Sequence, residues 1–207
     1  DPLLDQPMGF NVWRAPTDND RKLKADWYAA HYDHAATNAY HTEYTVTASG
    51  VTLHTHVGIA AICVQKFLDL DVTWTVANNG SVDLALHAQR NTVFPELPRF
   101  GLRLFLPQEM SQVNYYGMGP MECYRDKHHA ASHSSYTATV WQLHEDYIRP
   151  QENGSHFDCD YVMLAGDAVR LTAVGTQPFS FNASHYTQEE LTRKAHNYEL
   201  EPCGSTV

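Results

Sequence analysis

The sequence predicts an all-β antiparallel fold, and three observations predict it. Leu68, Leu70, Val72, Trp74 and Val76 alternate without a break with Asp69, Asp71, Thr73 and Thr75. That period of two puts one side of a strand in a core and the other in water. Ser49-Gly50, Asn78-Asn79-Gly80 and Gly166-Asp167 punctuate runs of similar character, and tight turns call for these residue types. No strand–helix–strand alternation, internal repeat or low-complexity linker occurs along the 207 residues, which argues for a sandwich over a parallel α/β sheet. The expected organisation is a single β-sandwich domain over residues 1–207 with one or two short helices, long enough to bury a sizeable core.

The chain opens on Asp1-Pro2-Leu3-Leu4-Asp5, without an initiator Met and without the charged and apolar regions of a signal peptide. A processed chain or a fragment of something longer is expected. Trp13-Arg14-Ala15-Pro16-Thr17-Asp18-Asn19-Asp20 follows, too densely mixed for an amphipathic helix or an alternating strand. Pro16 fixes its own φ and holds Ala15 extended, and Asp18, Asn19 and Asp20 are turn and cap formers. Two readings suit this run: a rigid turn ending in a helix N-cap, or a polar loop presented to a hydroxyl-rich ligand. Residues 23–32 read as a short helix with Leu23, Trp27 and Ala30 on one side and Asp20 as its N-cap.

From there the period is two. Residues 42–48 and 51–57 form a hairpin, and 66–76 pairs with the Val82, Leu84, Leu86, Ala88 run across Asn78-Asn79-Gly80. A turn at Glu96-Leu97-Pro98-Arg99 precedes a strand carrying Leu102, Leu104 and Leu106. Residues 113–116 form a short strand stopped by Gly117-Met118-Gly119-Pro120, residues 121–135 are polar and irregular, and β character resumes over 137–143. Pro150-Gln151-Glu152-Asn153-Gly154 is a turn, and 161–164 pairs with 169–174 around Gly166-Asp167. Phe179-Ser180-Phe181-Asn182 is a strand, Thr187 with Glu190 three residues on starts a second short helix, and Tyr198-Glu199-Leu200 is too short to assign. Cys203-Gly204-Ser205-Thr206-Val207 carries no closing strand, so the sandwich is expected to lack its last strands.

Composition excludes several classes. A net charge of −10 and the absence of clustered Lys and Arg argue against a nucleic-acid or anionic-membrane surface, and no apolar run approaches the roughly 20 residues of a membrane span. Cys63, Cys123, Cys159 and Cys203 are widely spaced and form no CxxC pair, so free thiols in a reducing cytoplasm are expected. The 13 histidines are mostly scattered. His54 with His56, and His128 with His129, lack a third ligand at metal-binding spacing, so no metal site is assigned.

There is no GxSxG elbow, phosphate-binding Gly loop, HExxH or dinucleotide fingerprint. Paired carboxylates occur only in loops: Asp18 with Asp20, Glu122 with Asp126, and Glu152. Glycoside hydrolysis needs two carboxyls about 5 to 9.5 Å apart across a sugar, a separation that spacing in the sequence does not set. The aromatic content suits a carbohydrate-facing surface, and suits a sandwich core better.

The Trp13–Asp20 run closely resembles the start of the C-terminal domain, or small chain, of the family 2 β-galactosidases. Leu97-Pro98-Arg99-Phe100-Gly101, Tyr116-Gly117-Met118-Gly119-Pro120-Met121-Glu122-Cys123-Tyr124-Arg125-Asp126 and Arg149-Pro150-Gln151-Glu152-Asn153-Gly154 match it in order. Phe179-Ser180-Phe181-Asn182 with Tyr186-Thr187 and Glu190-Leu191 is a fifth match, so the resemblance covers about residues 9–200. It implies a β-supersandwich similar to galactose mutarotases, serving as the last domain or a small subunit of an enzyme that hydrolyses terminal β-D-galactosyl residues, as in lactose. The catalytic carboxylates and magnesium ligands of that family lie on a (β/α)8 barrel absent from this sequence, so no catalytic residue and no cofactor is assigned here. The implied partners are a galactoside, a barrel-containing chain or domain, and further copies in an oligomer.

By this resemblance Arg14, Asp18, Asn19 and Asp20 lie nearest the sugar and act by hydrogen bonding and loop positioning. Glu122, Tyr124, Glu152 and Asn153 order loops. Three departures stand out. Arg21-Lys22-Leu23-Lys24 follows Asp20 with no glycine until Gly50, where the family has a glycine-containing mobile loop. Cys123 and Lys127 replace the more usual Asn and Arg, and the family's substrate-stacking Trp segment has no counterpart. Two other functions suit the same residues: a free-standing mutarotase-like aldose epimerase, pairing His128 or His129 with Glu152 as acid and base, and a non-catalytic carbohydrate-binding module.

Overall fold

The computed structural model describes residues 3–207. The chain is all-β in class, with strands β1 (Gln6–Asn11), β2 (Ala36–Thr47), β3 (Gly50–Ala60), β4 (Leu68–Ala77), β5 (Val82–Arg90), β6 (Gly101–Pro107), β7 (Gln112–Gly119), β8 (Ser132–Thr139), β9 (Ser155–Ala165), β10 (Arg170–Asn182) and β11 (Ser205–Thr206). Its two short α-helices are α1 (Leu23–Ala29) and α2 (Gln188–Arg193). It forms two compact units: residues 10–13 with 20–101, and residues 3–9, 14–19 and 102–207.

The first unit is built on a four-stranded antiparallel sheet of order β2-β3-β4-β5. The alternation in β4 does what period two requires: Leu68, Leu70 and Val72 are buried at 3% exposure or less while Asp71 is exposed. Opposite them, Val57 pairs with Leu70 and Ile59 with Leu68. Onto this end of the sheet pack Val12, Trp13, Trp27, Ala30, Tyr32 and Phe67. Tyr32 meets Phe67 edge-on at 4.8 Å, and its hydroxyl donates to the Pro95 carbonyl at 2.7 Å, so a polar tip is satisfied inside an apolar cluster. Each large apolar side chain buried here contributes about 1.5–3 kcal/mol.

Helix α1 differs from its sequence reading in two ways. Its N-cap position is Lys22, with no side-chain cap bond, and Asp20 instead sits buried in a 3₁₀ turn, residues 18–21. Leu23 is 54% exposed, so Trp27 and Ala30 alone carry the buried stripe. The helix is stabilised by packing of its Trp rather than by local capping.

The second unit holds the sheet of order β10-β9-β7-β8, and a three-stranded sheet of order β1-β6-β11 falls in it through residues 6–9, 102–107 and β11. The core of the larger sheet is Val113, Tyr115, Val140, Leu143, Cys159, Val162, Phe181 and Ala183. Gly117 and Gly119, expected to stop β7, lie within it. A Cβ on Gly117 would sit 2.3 Å from the Cys159 sulfur, and one on Gly119 would sit 2.2 Å from the Tyr115 hydroxyl. They are packing glycines, and the strand runs on through them.

Four further expectations are corrected. Residues 132–135, read as irregular, begin β8, an exposed edge strand whose Ser/His run has no apolar alternation to announce it. Residues 140–143, read as β, form a 3₁₀ turn capped reciprocally by Thr139 and Gln142. The chain end does pair: β11 bonds antiparallel to β6, Ser205 opposite Pro107 and Thr206 opposite Leu106. Residues 170–174 and 179–182 are one strand, β10, with register shifts between Val174 and Phe179. The second helix starts as read, with the Thr187 hydroxyl accepting from the Glu190 N–H at 3.1 Å.

Candidate functional site

In the second unit the Gly-Pro-x-Glu segment and the Pro-Gln-Glu-Asn-Gly turn meet at one carboxylate. Glu122 has only 5% of its side chain exposed. One oxygen accepts from Lys127 Nζ at 2.6 Å and from the Tyr147 hydroxyl. The other accepts from the Gly154 N–H at 2.9 Å and from the Tyr124 hydroxyl at 3.5 Å. Burial alone would push this carboxyl's pKa up, but the bonds from Lys127, Tyr147 and Gly154 outweigh it and hold the pKa below the ordinary carboxylate value. Lys127 is pushed up in turn by its bond to Glu122. Glu122 is therefore an ionised anchor rather than a proton donor at neutral pH.

From Gly154 the network runs to the opening loop. Asn153 is buried; its Oδ1 accepts from the Glu145 N–H at 3.0 Å, its Nδ2 donates to the Gln151 carbonyl at 2.9 Å, and its own carbonyl accepts from Asn182. The buried Glu152 gives its backbone N–H to the Ala15 carbonyl at 3.1 Å. The Gln151 side chain accepts from the Asp18 N–H at 3.0 Å. Residues 14–19 are thus tied at two points to a turn that Glu122 holds by its backbone.

Four of the residues singled out from sequence (Glu122, Tyr124, Glu152 and Asn153) are brought into this network, which takes in Asp18 through its backbone. Asp18 and Asn19 are exposed, Arg14 is half-buried, and Asp20 is buried within the other unit. Tyr147 and Gln151 were missed; the Tyr147 bond to Glu122 spans 25 residues and the Gln151 bond to Asp18 spans 133, with no local signal for either.

Beside Glu122 lies a cavity of about 600 Å³ lined by Met121, Lys127, His128, Glu145, Asp146 and Tyr147 among others. His128 is fixed by its Nδ1 contact with the Tyr124 carbonyl at 3.2 Å and lies tilted against His129, ring centres 5.0 Å apart. Glu152, the acid that a mutarotase-like epimerase would pair with these histidines, is not among the cavity's walls. Among the described residues no group of three His, Cys, Asp or Glu is arranged to hold a metal ion. No helix among them is long and apolar enough to cross a membrane.

The depressed Glu122 pKa fixes a pH dependence. A carboxylate whose folded pKa lies below its unfolded value stabilises the fold above the unfolded pKa, and loses that contribution as pH falls through the folded one. Urea midpoints taken downward from pH 6 should therefore fall on acidification below the ordinary value of 4.5. The fall should be smaller in Glu122→Gln; equal slopes in the two proteins would count against the assignment.

The beta-galactosidase small chain family matches residues 1–207. Relatives include the β-galactosidase of Actinobacillus pleuropneumoniae, 44% identical over 205 residues, which are 99% of this chain and 20% of that protein. That of Staphylococcus xylosus is 36% identical over 200 residues, 97% of this chain and 20% of that protein. That of Vibrio cholerae is 32% identical over 212 residues, with 96% and 20% covered. The chain spans about a fifth of the length of these relatives.

Proposed function

The chain belongs to the beta-galactosidase small chain family, and from that premise we propose that it completes the sugar site of a β-galactosidase whose catalytic carboxylates and magnesium lie on a separate barrel. The observation that carries this reading is the tethering of residues 14–18 by Gln151 and Glu152, with that turn held in turn by Glu122. A polar loop fixed at two backbone points pays its ordering entropy before a ligand arrives, which is what a wall for a sugar needs. Arg14, Asp18 and Asn19 would bond and orient the galactosyl unit of lactose or another terminal β-D-galactoside. The assembly would be an oligomer in the cytoplasm. Alone, the chain hydrolyses nothing, since hydrolysis needs two carboxyls on one sugar.

The test mixes this chain with the A. pleuropneumoniae β-galactosidase lacking its matching fifth. Restored release of nitrophenol from a chromogenic galactoside is expected. No gain over the truncated enzyme alone would sink the reading.

A further inference from the structure

The inner face of the β2–β5 sheet is divided into a covered and an uncovered half. Cross-strand pairing stacks it in rungs, because directly opposed residues point the same way. Ala39, Val57, Leu70 and Ala88 make one rung, and Thr37, Ile59, Leu68 and Arg90 the next outward from it. Trp27, Tyr32, Phe67 and their neighbours pack on this end. Toward the two hairpin turns come a rung of Thr42, Thr55, Val72 and Leu86, a rung of Tyr44, Leu53, Trp74 and Leu84, and a rung of Val46, Val51, Val76 and Val82. Tyr44 is 71%, Val46 67% and Val82 54% exposed.

Apart from Ala85, the opposite face at the same positions is polar. It carries Glu43, Thr45, His54, Thr52, Thr73, Thr75 and Asp83, and the His54 ring contacts the Thr73 hydroxyl at 3.0 Å. A sheet that is polar on one side and Val/Leu/Trp on the other buries the second side against another layer. Contiguous exposed apolar side chains of this kind mark an interface more often than scattered ones do. Its Thr42 hydroxyl donates to that of Thr55 at 3.3 Å, leaving the Tyr44 hydroxyl and the Trp74 indole N–H as its other polar side-chain groups, and it offers no cations to a lipid surface.

We propose that this bare half-face is the seat of an apolar layer contributed by the part of a β-galactosidase polypeptide outside residues 1–207. The proposal rests on the reading that the chain works within a larger β-galactosidase. Its relatives carry four-fifths of their length beyond the matched region, ample for a second layer. The occupant meets Tyr44, Val46, Val76 and Val82 with aliphatic and aromatic side chains, next to the half-buried Trp74 and Leu84 that already pack on the core cluster, and continues the layer that Trp27 and Phe67 begin.

Cysteine labelling tests it without relying on activity. Val46→Cys, Val82→Cys and Glu43→Cys are placed in a Cys63→Ser, Cys203→Ser background. Maleimide labelling is read by peptide mass spectrometry, in this chain alone and in the A. pleuropneumoniae enzyme with its matching fifth replaced by this chain. Labelling at positions 46 and 82 is expected to be at least tenfold slower in the chimera, with position 43 unchanged. Equal rates in both contexts would overturn the proposal, as would protection of the isolated chain that grows with its concentration, the mark of a second copy. If the chimera misassembles, the same three labels are read on the chain mixed in trans with the truncated enzyme. Protection without galactoside hydrolysis would defeat the functional reading and leave the surface standing.

Discussion

Replacing Glu122 with alanine should cost the second unit about 2–4 kcal/mol, dominated by buried donors left without an acceptor. The accounting turns on who can reach water. Lys127 has 60% of its side chain exposed, so it can leave its partner and hydrate. The Gly154 N–H cannot: its bond to Glu122 is buried. Glu122→Gln keeps a carbonyl oxygen for that N–H and gives up the charge, so it should cost clearly less than alanine. Calorimetric or urea unfolding measures both, and an alanine variant no less stable than Glu122→Gln would refute the ranking. The site should respond as well. With Glu122→Ala in the reconstituted enzyme, the 14–18 loop loses its distant support, and KM for a galactoside should rise more than kcat falls.

Gly154→Ala should be of similar size, about 3 kcal/mol, for a different reason. Gly154 has φ +71, and a Cβ there would lie 2.4 Å from the Leu143 carbonyl oxygen. The strain of a left-handed alanine is the lesser part. The greater is a clash with the Leu143 backbone that Gly154 cannot swing away from, because the peptide leading into it is pinned at both groups: its N–H on Glu122 and its Asn153 carbonyl by Asn182. Asparagine tolerates left-handed φ, so Gly154→Asn separates the two causes. It should be as unstable as the alanine variant; a rescue would place the cost in φ alone.

The all-β class and most strands were legible because strand chemistry is local. The Leu68–Val76 alternation announced β4, and its buried half is the half that finds partners in Trp27, Tyr32 and Phe67. The same period in β5 told nothing of burial, since Leu86 and Val82 are exposed; alternation gives a face, and only a neighbouring layer buries it. Only the second part of β8, from residue 137, was legible, because its opening run of Ser and His has no apolar alternation to show. Gly117 and Gly119 misled because a glycine needed for close approach reads like one needed for a turn. At the site, Glu122, Glu152 and Asn153 stood in recognisable segments. Tyr147 and Gln151 join them only through the fold.

The two buried thiols give the second unit a clock. Cys123 and Cys159 are buried free thiols, while Cys63 is exposed. Burial, with Cys123 nearby, pushes Cys159 up to about 12, so at neutral pH its reactive thiolate is only on the order of one part in 100,000. A pulse of thiol reagent thus passes over the closed unit and records at Cys159 how often the β7–β9 core opens. That frequency can be followed while a ligand or partner chain is added.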